Sequence, residues 1–388
     1  MRVFIIAGEP SGDKLGGALM AGLRQLRPEV RFEGVGGPLM AEQGLSSLFP
    51  MEELSVMGLV EILPKYRALV ARINQTAQAV VAAKPDVLIT IDSPDFSLRV
   101  AKQVKEVTRI RTVHYVAPTV WAWRSGRALK MARVIDQVLA LFPFEPPLMS
   151  VGGMRCDFVG HPVVSEPLAT AADEAAFRAA YDLGDAPVML VLPGSRRGEV
   201  ARLASLFGEA LAPILKEHRD MKIVVPAAAS VAGIVNEAVR DWPVEAVVLD
   251  PRGLSVDAAG AEKRAAFRTA RVALAASGTV SLELAAAGTP MVIAYKMNWL
   301  TFKVISWMAK IDTVTLVNLV SETRVVPEFL GAACTPHAVS AGVLDVLARP
   351  ELQLDAMAVT MARLGRGGED PGLRAARAVL TGLEYAES

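Results

Sequence analysis

Short, mainly apolar runs alternate along this chain with longer stretches in which apolar residues recur every third or fourth position. The runs 3–7, 87–91, 112–116 and 138–141 predict one set of strands. The runs 188–192, 223–225, 246–249, 272–275 and 291–294 predict a second. Runs of this kind suit parallel strands buried on both faces, because an exposed face would impose alternation. Residues 16–26, 69–83 and 200–216 have helical spacing. Strand and helix alternating twice over predicts an α/β protein of two doubly wound units. Between the two sets lies Gly160-His161-Pro162-Val163-Val164-Ser165-Glu166-Pro167, whose glycine and prolines suit a linker. We therefore expect domains over 1–165 and 166–350, followed by a helical tail over 351–388. Open α/β sheets bind ligands beyond the carboxyl ends of their strands. Two such domains are expected to face a central cleft.

The length of 388 residues agrees with two domains. Hydrophobic residues make up 52% and charged residues 21%, and 41 basic residues balance 41 acidic ones. This composition excludes a disordered chain and argues against a dedicated nucleic-acid binder, whose domain would be basic. Cys156 and Cys334 cannot form a disulfide framework and fit a reducing compartment. The mean hydropathy of +0.35 raises the question of membrane spans. The longest run free of Asp, Glu, Lys and Arg, 329–344, has 16 residues and contains Pro336 and His337, so it does not read as a span. The first strand runs straight into Gly8-Glu9, which leaves no room for a signal peptide. A cytoplasmic protein with an excess of apolar surface or core is expected.

Four stretches could carry chemistry. Gly8-Glu9-Pro10-Ser11-Gly12-Asp13 follows the first strand, and its glycines allow a tight turn beside a ligand. A plain strand-to-helix turn capped by Ser11 or Asp13 accounts for it equally well. Asp92-Ser93-Pro94-Asp95 follows a buried strand. A carboxylate there could accept a proton from an attacking hydroxyl, with Asp92 favoured as base and Asp95 as a helix-start residue. Gly194-Ser195-Arg196 offers backbone and hydroxyl donors and a planar guanidinium fork for phosphate oxygens. Ser277-Gly278-Thr279 opens a helix whose free N–H groups would attract a phosphate. Glu283, one turn on, could hold a ribose diol; buried among Leu282, Leu284 and alanines, it would need partners. The four histidines and two cysteines show no metal-ligand spacing, and His114 and His161 read as structural. Two apolar stretches flanked by basic residues, 56–73 and 297–309, suit either core or a membrane surface. In the first, Leu59, Ile62, Leu63, Tyr66, Leu69 and Val70 are the candidate membrane or acyl-chain contacts.

Taken in order, these motifs resemble the lipid-A-disaccharide synthase family, glycosyltransferases of the GT-B fold. The matching pieces are Gly8-Glu9-x-Ser11-Gly12-Asp13, Met51 to Gly58, Asp92-x-Pro94-Asp95-Phe96, His114-Tyr115-Val116-x-Pro118, Val120 to Arg124 and Leu141-x-Pro143-Phe144-Glu145. Gly160-His161, Leu192 to Arg196, Ser277-Gly278-Thr279 with Glu283, Pro290 to Val292 and Asn318-Leu319 continue the series. Pro10 departs from the small residue common in the family, and 252–262 diverges. The resemblance implies transfer of a glycosyl group from UDP-2,3-diacylglucosamine to 2,3-diacylglucosamine 1-phosphate, with inversion, at the cytoplasmic face of a bacterial inner membrane. It implies Asp92 as base with Glu9 as a second catalytic residue, Glu9, Ser11 and Asn318 lining the cleft, Arg196 and the 277–279 helix start on the UDP diphosphate, and Glu283 on the ribose. No cofactor or metal is implied. The terminal helices could pack within one chain or between the chains of a homodimer. A soluble UDP-sugar epimerase of the same fold and a non-catalytic nucleotide-binding protein are the competing readings.

Overall fold

The computed structural model describes residues 1–55, 62–120, 126–296 and 312–387. Leu59, Trp121 to Arg124 and the stretch 297–309 lie outside the described residues, as do the side chains of Ile62, Leu63 and Tyr66. The chain divides into two units, Met1–Ser165 with Leu364–Ser388, and Glu166–Arg363. The tail read from the sequence as one piece is thus split. Its helix Glu351–Arg363 belongs to the second unit, whereas Pro371–Glu387 returns to the first.

The first unit holds a parallel sheet in the order β2-β1-β3-β4-β5-β6. These strands are β1 (Arg2–Ala7), β2 (Arg31–Val35), β3 (Val87–Ile91), β4 (Arg111–Tyr115), β5 (Gln137–Ala140) and β6 (Arg155–Phe158). Every residue of β3 and β5 is buried, Thr90 and Gln137 included, as expected of strands covered on both faces. On one face Phe4, Ile6 and Leu88 pack with Ile73, Val80, Val100 and Val104 from the helices Ile62–Ala83 and Pro94–Val107. Against the Pro10–Leu26 helix lies the last helix, Pro371–Glu387, through paired glycines. A Cβ on Gly22 would stand 2.8 Å from the Gly372 carbonyl oxygen, and one on Gly372 would stand 2.7 Å from that of Ala18.

In the second unit the order is β12-β11-β10-β7-β8-β9, again parallel where paired. The strands are β7 (Val188–Leu192), β8 (Lys222–Pro226), β9 (Ala246–Leu249), β10 (Ala270–Ala276), β11 (Met291–Tyr295) and β12 (Glu328–Leu330). Helix Arg197–Glu217 lays Val200, Leu203, Phe207, Leu211 and Ile214 on a core that includes Val191, Ile223 and Leu274. The three strands that sequence pattern does not predict are β2, β6 and β12, and each is a sheet edge. An edge strand is not enclosed on both sides, so β2 and β6 carry polar residues and β12 has only three residues.

Candidate active site

Each sheet has one place where the strand order reverses. In the first, β1 has β2 on one side and β3 on the other; in the second, β7 lies between β8 and β10. The crevices at the carboxyl ends of β1/β3 and of β7/β10 are the switch points at which doubly wound sheets bind ligands. Gly8–Asp13 follows β1, Asp92–Asp95 follows β3, Gly194–Arg196 follows β7 and Ser277–Thr279 follows β10. The four candidate stretches therefore fall in two pairs, one at each switch point.

The turn after β3 is strained. Asp92 and Ser93 both have positive φ, +50° and +43°. A non-glycine residue held in that region costs on the order of 1–3 kcal/mol and persists only where its surroundings fix it. They do so here. The Asp92 N–H donates to the Tyr115 carbonyl at 3.0 Å, and the Ser97 hydroxyl donates to the Asp92 carbonyl at 2.8 Å. Phe96 and Ser97 N–H groups donate to the Ser93 carbonyl. On the adjoining strand end Val116, a β-branched residue, sits at φ +81° and donates its N–H to Leu139. The Asp92 carboxylate is half-buried, and no donor among the described residues reaches it. Asp95 is exposed in the first turn of its helix, where a carboxylate complements the helix dipole.

Glu9 is the N-cap of the Pro10–Leu26 helix, and it and Ser11 are exposed. Asp13 has a different duty. It is buried, and its carboxylate accepts the N–H groups of Gly37 at 2.8 Å and of Leu39 and Met40 at 3.0 Å. It caps the neighbouring Pro38–Glu42 helix rather than its own. Gly8 lets β1 approach the strained turn, since a Cβ there would lie 2.7 Å from the Ser93 hydroxyl oxygen.

In the second unit the Arg196 side chain is 82% exposed and tied by Nη1 to Glu199 at 3.1 Å. The other Glu199 oxygen accepts the N–H groups of Ser195 and Arg196 at 3.1 and 3.3 Å. These two backbone donors are therefore occupied, and of the amides expected to face a phosphate that of Ser195 does not. Gly278 and Thr279 are exposed at the start of the Val280–Ala287 helix, and a Cβ on Gly278 would meet nothing within 4 Å. Glu283 is not buried as expected. Its side chain is 42% exposed, and it accepts from Lys263 Nζ at 2.6 Å, the lysine standing over the Phe267 ring.

Asn318 is corrected more sharply. It is 1% exposed, donates to the Val326 carbonyl at 2.9 Å and to Thr313 at 3.3 Å, and accepts the Val326 N–H at 3.0 Å. The amide is consumed in holding the Leu316–Ser321 helix to the segment before β12, so it has nothing left for a ligand. Among the apolar candidates, Leu69 packs against the first unit's core, and Val70 is half-buried. His114 bonds Thr90 through Nδ1 at 2.8 Å, and His161 Nδ1 accepts the Val163 N–H at 3.1 Å. Burial lowers both to about 4, so both are neutral and structural. No group of three or more His, Cys, Asp or Glu suited to a metal exists among the described residues. Among them, too, no helix is long and apolar enough to cross a membrane.

Sequence reasoning passed over Glu199, Lys263 and Ser93. Glu199 had a signal, an acidic residue at the third position of a helix, but its capping partner is Arg196 rather than the usual serine or threonine. Lys263 is brought to Glu283 only by the packing of two helices and left no local trace.

A family profile described as Lipid-A-disaccharide synthetase matches residues 3–363. The chain belongs to the lipid-A-disaccharide synthase family. It is 68% identical to the lipid-A-disaccharide synthase of Ruegeria pomeroyi over 99% of this chain and 96% of that one. With the enzyme of the same name from Rhodospirillum centenum it shares 46% identity over 98% and 94% of the two chains. Among solved structures it is similar to a UDP-GlcNAc 2-epimerase from Neisseria meningitidis bound to UDP-GlcNAc. The TM-score is 0.66 at 13% identity, covering 99% of this chain and 100% of that one. A UDP-N-acetylglucosamine 2-epimerase from Listeria monocytogenes, described as putative in its title, gives 0.65 at 13%, over 100% and 97%. Likeness at that identity carries the GT-B-type fold alone. Family membership, which spans nearly the whole chain, favours the glycosyltransferase over the epimerase reading.

Proposed function

We propose that this family member joins UDP-2,3-diacylglucosamine to 2,3-diacylglucosamine 1-phosphate, with the first unit holding the acceptor and the second the donor. The 6-hydroxyl oxygen of the acceptor attacks the donor's anomeric carbon, the bond from that carbon to the diphosphate oxygen breaks, and UDP departs. The hydroxyl proton passes to Asp92. The α-linked donor becomes a β-linked disaccharide because attack comes from the face opposite the leaving group.

The observation that carries this assignment is the Asp92 carboxylate at a switch point, on a turn whose strain is paid locally and with no donor of the described chain occupying it. A base must keep a lone pair free for the proton that it takes. Glu9 and Ser11, on the adjoining β1 turn, would contact the sugar. In the second unit the Thr279 helix start and the Arg196 guanidinium would stabilise the charge that builds on the departing diphosphate. Glu283, held by Lys263, would accept hydrogen bonds from the ribose hydroxyls. Asn318 acts indirectly, by fixing the backbone that follows β11.

The substrates are acylated, and the basic-flanked stretch from 56 to 73 supports a peripheral site on the inner face of the inner membrane, with Leu59, Ile62, Leu63, Tyr66 and Val70 as its contacts. The chain works there without crossing the bilayer, and a homodimer is the assembly we assign to it. Asp92→Asn is the decisive variant. It should retain UDP affinity and lose at least about 100-fold in kcat, the contribution of one positioned base. Turnover near that of the unaltered protein would remove Asp92 from the role.

A further inference from the structure

The geometry points to Glu199 as a positioning residue of the glycosyl-transfer site, one that holds the Arg196 guanidinium in place for the donor's diphosphate. The inference rests on the reading of Arg196 as the phosphate contact. An arginine side chain that is 82% exposed would ordinarily sample many rotamers, and a phosphate would have to order it on binding. Here Glu199 anchors it by one nitrogen only, Nη1, at 3.1 Å. The edge carrying Nε and Nη2 has no partner among the described residues. That is the edge with which a guanidinium grips two oxygens of one phosphate.

The loop is built to let the carboxylate reach this position. Glu199 is 7% exposed, and it is satisfied by three donors from Ser195 and Arg196. It approaches so closely beneath Gly194 that a Cβ there would lie 2.6 Å from its own Cβ and 2.7 Å from Oε2. Gly194 also has φ +119°, which excludes other residues independently. The Ser195 and Arg196 N–H groups face the buried carboxylate, so these two amides are not offered to an anion and the Arg196 guanidinium is. The affinity of the loop for phosphate then depends in part on where that side chain stands. An ordinary helix cap would need the two backbone bonds; the third, to an exposed cation, adds nothing to capping.

The test is a double-mutant cycle read by steady-state kinetics on the intact protein with both acylated sugars. Glu199→Gln is nearly isosteric, and its carbonyl still accepts from the loop. It should raise KM for the UDP-sugar about 3- to 10-fold, the size expected for a partly exposed ion pair, and leave kcat within about twofold. Glu199→Asp keeps the charge but withdraws it by one methylene, and should raise KM similarly. Arg196→Ala should raise KM by about tenfold or more, and adding Glu199→Gln to it should raise KM no further. An unchanged KM in both Glu199 variants, or an equal further rise in the Arg196→Ala background, would overturn the inference while leaving Arg196 as the phosphate contact. If Arg196→Ala itself leaves KM unchanged, that contact fails, and the role of Glu199 fails with it.

Discussion

Replacing Gly8 with alanine adds a single methyl group where β1 meets the strained Asp92–Ser93 turn. The new Cβ would stand 2.7 Å from Ser93 Oγ, 3.2 Å from Ser93 Cβ and 3.5 Å from Leu54 Cβ. Nonbonded heavy atoms are content at about 3.5–4.0 Å, so the first contact falls short by roughly 0.8 Å and the second by roughly 0.3 Å. Rotating the Ser93 hydroxyl away relieves the first and leaves the second, so the backbone of the turn must give. Overpacking of this kind costs about 1–3 kcal/mol. In a unit of this size that lowers Tm by roughly 2–12 °C. The larger effect is on chemistry. Ser93 is bonded directly to Asp92, and a shift of about 1 Å in a reacting group can cost about 100-fold. We expect Gly8→Ala to lower kcat by about 10- to 100-fold in a disaccharide-forming assay, with UDP affinity unchanged by calorimetry. Combining it with Ser93→Gly removes both clashing atoms and places glycine at a positive φ, and should recover most of the loss. A Gly8→Ala protein with kcat within twofold of the parent would refute the reasoning that this contact sets the place of Asp92.

Asn318→Ala leaves the Val326 N–H and carbonyl without their partner. It should lower stability by about 2–4 kcal/mol by thermal denaturation, with UDP affinity retained below the transition; a loss of affinity at full stability would return Asn318 to the ligand. His114 and His161 are held neutral, lowered to about 4 from the ordinary 6.5. The unfolded chain therefore takes up protons that the folded one refuses. Their contribution is complete above about pH 6.5 and is lost as pH falls toward 4. Each should add a slope of up to about 1.4 kcal/mol per pH unit across that window, and a flat stability profile by denaturant titration between pH 7 and 5 would contradict it.

What was legible in the sequence was whatever is written in contiguous residues. Central strands such as β3 and β7 are mainly or wholly apolar runs, and the turns that follow them are short motifs, so both were visible. The doubly wound order follows from strand–helix alternation, and the switch points then place the motifs in pairs. Three of the four edge strands were not visible, because half-open strands such as β6 mix Arg155, Cys156, Asp157 and Phe158 in a pattern that loops share, whereas the apolar edge strand β9 was. Relations across the fold were hidden as well. That Asp13 caps the helix beginning at Pro38, that Lys263 meets Glu283 and that Asn318 turns inward to Val326 all depend on packing. In each case the partner lies on another element, so residue type alone did not name it. The resemblance implied Asn318 as a residue lining the cleft, and the fold uses its amide internally.

The return of helix Pro371–Glu387 to the first unit, against the glycine-bearing face of the Pro10–Leu26 helix, bears on the order in which the chain is made. The second unit is one continuous stretch, available in full once residue 363 has emerged from the ribosome. The first unit begins before it and is completed after it. Throughout translation its opening helix leaves Gly22 and the neighbouring surface uncovered, awaiting a segment some 350 residues downstream. Domains of most chains mature in the order of synthesis. Here the later-made unit is the first that can finish folding, and the half that carries Asp92 closes only when the helix Pro371–Glu387 has been delivered.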